Sequence, residues 1–169
     1  RSDEPYDCSE ILIKMRMVKK PCEIEAVRKA AKLTEEAVAY MKSFAISESG
    51  MDEYKMYAAL EYGMARKGSL IPAFETIVAV DDNVFYLHHS DPETGKLLKH
   101  ESLIQIDVGA RSDGYCADIS RAIYVINPAL PHNELKDMRI RKLHELIVKL
   151  RRVVYEEVKP GINFPKLNL

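Results

Sequence analysis

The chain has 169 residues, enough for one domain with a real core. Lys and Arg number 25 against 26 Asp and Glu, with no basic block, which argues against nucleic acid as a partner. No apolar run approaches membrane-spanning length, the N-terminus is not that of a signal peptide, and the widely spaced Cys8, Cys22 and Cys116 form no C-x-x-C pair. Free thiols in a reducing compartment, hence a cytoplasmic location, are expected rather than a disulfide frame or a zinc ribbon.

Residues 1–20 are mixed, and residues 11–18 read as a short strand or a connector. Pro21 suits the first turn of a helix, and Glu23 and Glu25 favour its positive end. Ile24, Val27, Ala31, Thr34, Val38, Met41 and Ala45 repeat at helical spacing and predict the buried stripe. Residues 47–50 break that pattern. A second helix is expected from Asp52 to Lys67, with Tyr54, Tyr57, Leu60, Glu61 and Met64 along one stripe and Gly68 as its stop. Residues 74–80 and 84–88 read as strands joined by Asp81, Asp82 and Asn83, and residues 90–95 as a loop. Asn127 to Pro131 interrupts the chain. A long helix follows, carrying Leu135, Met138, Leu143, Leu146, Ile147, Leu150, Val153, Val154 and Val158, and Lys159, Pro160 and Gly161 end it. The layout is α+β, with helices packed on a largely antiparallel sheet.

Residues 103–124 carry the chemistry. Two runs rich in Ile, Val and Tyr flank Arg111, Ser112, Asp113 and Gly114, a β-hairpin signal. With those four residues as the loop, Ala110 pairs with Tyr115 and Asp107 falls opposite Asp118. One face then holds Ile104, Ile106, Val108, Ala117, Ile119 and Arg121. The other holds Gln105, Asp107, Gly109, Cys116, Asp118 and Ser120, all short or polar. Opposed side chains lie roughly 4.5–5.5 Å apart at Cβ, where like charges destabilise a sheet. A cation between the two aspartates explains the arrangement. A solvent-exposed hairpin that happens to hold two Asp is the plainer alternative, and a one-residue slip would send them to opposite faces.

The stretch from Ile106 to Arg121 (an acid, a small-residue turn, Gly114-Tyr115, a second acid, then Ser120 and Arg121) resembles the metal-site hairpin of the pita-bread metallopeptidases, closest to the Xaa-Pro aminopeptidase and prolidase branch. Residues 13–30 resemble the segment that opens that branch's catalytic domain. The resemblance implies the first half of a pita-bread fold. Residues 1–15 would connect it to a preceding N-terminal domain, and residues 16–169 would form a partial catalytic domain. It also implies a metal-dependent exopeptidase that hydrolyses the bond before proline in short peptides with proline at the second position. Asp107 and Asp118 would be ligands of two divalent ions, Mn²⁺ first, with Co²⁺ or Zn²⁺ possible. Such a pair, roughly 3.5–4 Å apart, would activate water and polarise the scissile carbonyl. Ser120 would orient a ligand. In Leu87-His88-His89 only the first two positions match the family's Leu-His-Tyr, so His88 alone inherits the substrate-side, oxyanion-binding role. His132 and His144 show no metal-ligand spacing.

Nothing after Asp118 resembles the family's remaining ligands, a His and two Glu, and no general base is visible in the chain. Three readings stay open: the N-terminal half of a proline-specific metallopeptidase catalytic domain, inactive without its C-terminal half; a half-domain completed by a partner chain or a homodimer partner; or a non-catalytic pita-bread relative that binds a peptide or a partner protein.

Overall fold

A computed structural model describes residues 7–47, 49–126, 131 and 134–163. The chain forms two units, Arg1–Val125 and Ile126–Leu169. The first unit holds three helices, α1 (Ser9–Met17), α2 (Pro21–Ser47) and α3 (Glu53–Ala65). It also holds the strands β1 (Ile77–Val80), β2 (Leu103–Val108), β3 (Arg111–Ser112), β4 (Tyr115–Cys116) and β5 (Ile119–Tyr124), with a 3-10 turn at Asp81–Phe85. The second unit contains α4 (Glu134–Glu157), whose Leu143, Leu146, Ile147, Leu150, Val153 and Val154 are all exposed. Most of the expected interruption at 127–131, together with Glu48 and His132, lies outside the described residues.

Helix α1 replaces the strand or connector expected at 11–18. The Asp7 carboxylate accepts from the Ser9 N–H at 2.9 Å and Lys14 pairs with Glu10 one turn away, so local bonds suffice for a helix that buries nothing. At the start of α2, Glu23 reaches back to the Lys20 N–H at 2.6 Å, closing the first turn. The buried stripe of α2 is Ala26, Ala30, Thr34, Ala37, Val38 and Met41. Ile24 and Val27, expected inside, are exposed. Small residues win this face because α3 comes close: a Cβ on Gly63 would sit 3.0 Å from the Ala37 Cα. In α3, Leu60 and Met64 are buried as expected, but Tyr54 is outside and Glu53 and Met56 are inside. Gly68 follows this helix with φ +102°, a conformation that favours glycine.

The sheet has the order β1-β2-β5, antiparallel throughout. Its inner face gives Val78, Val80, Ile104, Ile106 and Val108 to one core with Met41, Met56, Leu60 and Met64 from the helices. Burying each such side chain stabilises the fold by about 1.5–3 kcal/mol. The opposite face carries Ile77, Asp107 and Ser120 in one row across the three strands. Helices thus cover one side of the sheet and leave the aspartate side for chemistry.

The second expected strand, at 84–88, does not form. The chain leaves β1 at Asp81 with φ +53° and winds into the 3-10 turn instead. The Asp81 carboxylate stabilises this reversal by accepting from the Leu103 N–H at 2.9 Å and the Ser102 hydroxyl at 3.1 Å.

Candidate metal centre

The hairpin closes through a two-residue turn, not the four-residue loop expected. Arg111 pairs with Cys116 and Ser112 with Tyr115, while Asp113 and Gly114 take φ +52° and +83°. Positive φ at both central positions matches the twist of the strands, which favours this tighter turn. The pairing therefore slides by two residues, and Asp107 faces Ser120 rather than Asp118. A slip of two preserves the side on which every residue points. Asp118 remains on the Asp107 face, one step along.

Between Val108 and Ile119 the strands draw unusually close. Ala117 donates its N–H to the Ala110 carbonyl at 2.9 Å. A Cβ at Gly109 would fall 2.0 Å from the Ala117 carbonyl oxygen and 2.8 Å from the Phe74 ring. Only glycine permits that approach, which carries the chain from Ala117 straight into Asp118. Behind it, the buried Thr34 hydroxyl accepts the Ala110 N–H at 2.9 Å and donates to the Ala30 carbonyl at 2.9 Å. The Ser69 hydroxyl accepts the Arg111 N–H at 2.8 Å.

Asp107 and Asp118 line one cavity of about 370 Å³ with Phe74, Glu75, Ile77, His88 and Ser90. His88 thus shares a cavity with both aspartates although it does not lie on a strand, and Ser120 lies across the ladder from Asp107. The Asp107 Oδ1 is buried and accepts no hydrogen bond. Burial first, and then the charge of and hydrogen bond to Asp107, push the Asp118 carboxyl above its ordinary value, even though Asp118 keeps an open side to solvent. An orphaned carboxylate oxygen beside a second carboxylate in one cavity is a donor set suited to a hard divalent cation. Among the described residues no third His, Cys, Asp or Glu completes a metal-binding group with them.

The sequence reading missed Glu53. This carboxylate is fully buried yet completely satisfied. Its Oε1 accepts from the Val80 N–H at 2.6 Å and the Asn83 amide at 2.8 Å, and its Oε2 from the Glu93 N–H at 2.8 Å and His89 Nε2 at 2.9 Å. Burial pushes the Glu53 carboxyl up. The donors, Glu93 foremost, outweigh it and hold the group below its ordinary value. Asp52 caps α3 through the Lys55 N–H and accepts from the Gly95 N–H, both at 2.9 Å. The only local signal for this pair was an acid at a helix start.

A second concavity, of about 240 Å³, is lined by Tyr40, Phe44, Tyr54, Lys55 and Tyr62. It brings together no acid–base pair, and the Lys55 ammonium is bonded to the Gly50 carbonyl at 2.6 Å.

Comparison with known proteins agrees with this geometry. Residues 25–168 match the model of metallopeptidase family M24. An uncharacterized peptidase of Methanocaldococcus jannaschii is 28% identical over 160 residues, which are 95% of this chain and 42% of that protein. The Xaa-Pro dipeptidase of Pyrococcus horikoshii is 29% identical over 159 residues, 94% of this chain and 42% of that protein. The crystal structure of X-Pro aminopeptidase from Thermotoga maritima superposes with a TM-score of 0.77 at 28% identity, covering 94% of this chain and 42% of that one. The chain thus spans about two-fifths of the length of these relatives, and its fold is part of the pita-bread architecture.

Proposed function

Since this chain belongs to metallopeptidase family M24, we propose that Asp107 and Asp118 hold two divalent ions, Mn²⁺ first, for an exopeptidase that cleaves the bond before proline. The observation that carries this reading is a buried, unpartnered Asp107 Oδ1 on a residue that shares its cavity with a second carboxylate, Asp118, and with His88. The names of the Pyrococcus and Thermotoga relatives support the Xaa-Pro specificity. When bound, the metal pair supplies Lewis acidity and makes water reactive near neutral pH.

The chain's own residues do the remaining work assigned here. Asp107 and Asp118 neutralise the cations and fix their position on a rigid hairpin. His88 donates a hydrogen bond to the peptide oxygen that gains negative charge. Phe74 and Ile77 give the cavity an apolar wall that excludes water beside the scissile bond. Ser120, across from Asp107, steadies that ligand. Two carboxylates fall short of a dinuclear donor set, so turnover needs donors from beyond the described residues.

The test is cleavage of Xaa-Pro and matched Xaa-Ala peptides by the intact protein loaded with Mn²⁺. Preferential Xaa-Pro hydrolysis, abolished in Asp107→Ala and Asp118→Ala, is expected. Equal rates in both variants and the parent would overturn the reading.

A further inference from the structure

We propose that Glu53 is a positioning residue for the site: it acts through the 80–93 segment to hold His88 in the metal cavity. The inference rests on the function proposed above for His88. Glu53 touches neither aspartate. It is instead the hub of the segment that leaves β1. Its four donors come from Val80, Asn83, His89 and Glu93, spanning 14 residues of chain with no regular strand or α-helix among them after β1. His88 and Ser90, the two residues of this segment that line the cavity, flank His89 directly. Consecutive Cα atoms are about 3.8 Å apart, so a fixed His89 leaves its neighbours little room.

The chemistry of the hub is specific. A carboxylate is the one side chain that accepts from four donors and offers none, so His89 donates from Nε2. A buried carboxylate without partners is costly, which ties the segment to this single arrangement. Asp52 repeats the device one residue earlier by accepting from the Gly95 N–H at 2.9 Å. Removing the charge of Glu53 while keeping its shape would put an amide N–H₂ against donors. The segment would loosen, and His88 would lose its place without any change at Asp107 or Asp118.

The experiment is a double-mutant cycle on the intact Mn²⁺-loaded protein with an Xaa-Pro peptide, using E53Q, H88A and the pair. We expect E53Q to lower kcat by about 10- to 100-fold, as misplacement of a catalytic group by about 1 Å does, with KM little changed. E53Q should add almost nothing to H88A. Calorimetric Mn²⁺ binding should stay at the parent's affinity, while amide exchange in residues 86–95 quickens about 10-fold and that of β2 does not. His89→Ala, which removes one donor at the rim of the hub, should show the same pattern more weakly, and it carries the cycle if E53Q does not fold. Losses that multiply with those of H88A, or an unchanged kcat in folded E53Q, overturn the proposal while leaving the peptidase reading intact. A harmless H88A, or a parent that cleaves no Xaa-Pro peptide, removes the reading itself and this proposal with it.

Discussion

Gly109→Ala tests whether the close crossing beside the aspartates is what sets their spacing. The added methyl would lie 2.0 Å from the Ala117 carbonyl oxygen and 3.0 Å from its carbonyl carbon, and the Phe74 ring edge at 2.8 Å blocks escape on that side. Ordinary contact begins near 3.4 Å, so backbone must retreat by more than 1 Å. Overpacking a rigid site costs about 3 kcal/mol. For a chain of this size that is a melting point lower by about 6–12 °C. The displaced atoms belong to the residue just before Asp118, so Mn²⁺ affinity should fall as well. Gly114→Ala is the control. It has φ +83° but nothing within 4 Å, so it carries only the left-handed backbone penalty of about 1–2 kcal/mol and should leave metal binding alone. Circular dichroism melts and Mn²⁺ calorimetry on both variants decide the matter. A Gly109→Ala protein that melts within 3 °C of the parent and binds Mn²⁺ equally well refutes the reasoning.

Thr34→Val keeps the volume but strands the buried Ala110 N–H and should cost about 1–3 kcal/mol in urea unfolding, whereas Thr34→Ser should cost less because it keeps the hydroxyl. Glu53 is held below its ordinary value in the folded state, so the unfolded chain binds more protons. Its contribution is therefore full above the unfolded carboxylate value of about 4.3 and is lost as pH falls through the lower folded value. The gap in urea midpoint between parent and E53Q should accordingly be wide at pH 7 and narrow near pH 3; a constant gap would contradict this. Asp118→Asn removes a like charge facing Asp107. In chelator it should be more stable than the parent by less than about 1 kcal/mol because solvent reaches Asp118, and it should lose the stabilisation that added Mn²⁺ gives the parent.

The hairpin and its two faces could be read from residues 103–124 because alternation has a period of two. The error in loop length shifted the pairing by that same period, so Asp107 and Asp118 stayed on one side. A one-residue error would have destroyed the site prediction. The face of α2 was misjudged because hydrophobic size favoured Ile24 and Val27, while the close contact with α3 selected Ala30 and Ala37. Val84, Phe85, Tyr86 and Leu87 have strand composition, yet the segment takes its shape from Glu53, 30 residues from Asn83 and 40 from Glu93. No local pattern encodes a partner at that distance. The shared side of Asp107 and Asp118 was legible in the sequence; the buried Glu53 carboxylate, bonded to Val80, Asn83, His89 and Glu93, was not.

Helix α2 meets the aspartate hairpin at three places. Glu23 bonds the Tyr115 hydroxyl, Lys29 pairs with Asp113 at the tip, and Thr34 takes the Ala110 N–H at the base. The outer two fastenings are 11 positions apart, about 16 Å along the axis. The helix is therefore a splint laid along the loop that bears both acids. The hairpin that carries the two carboxylates is therefore backed along its length by a 27-residue α-helix, in addition to the ladder that pairs its strands.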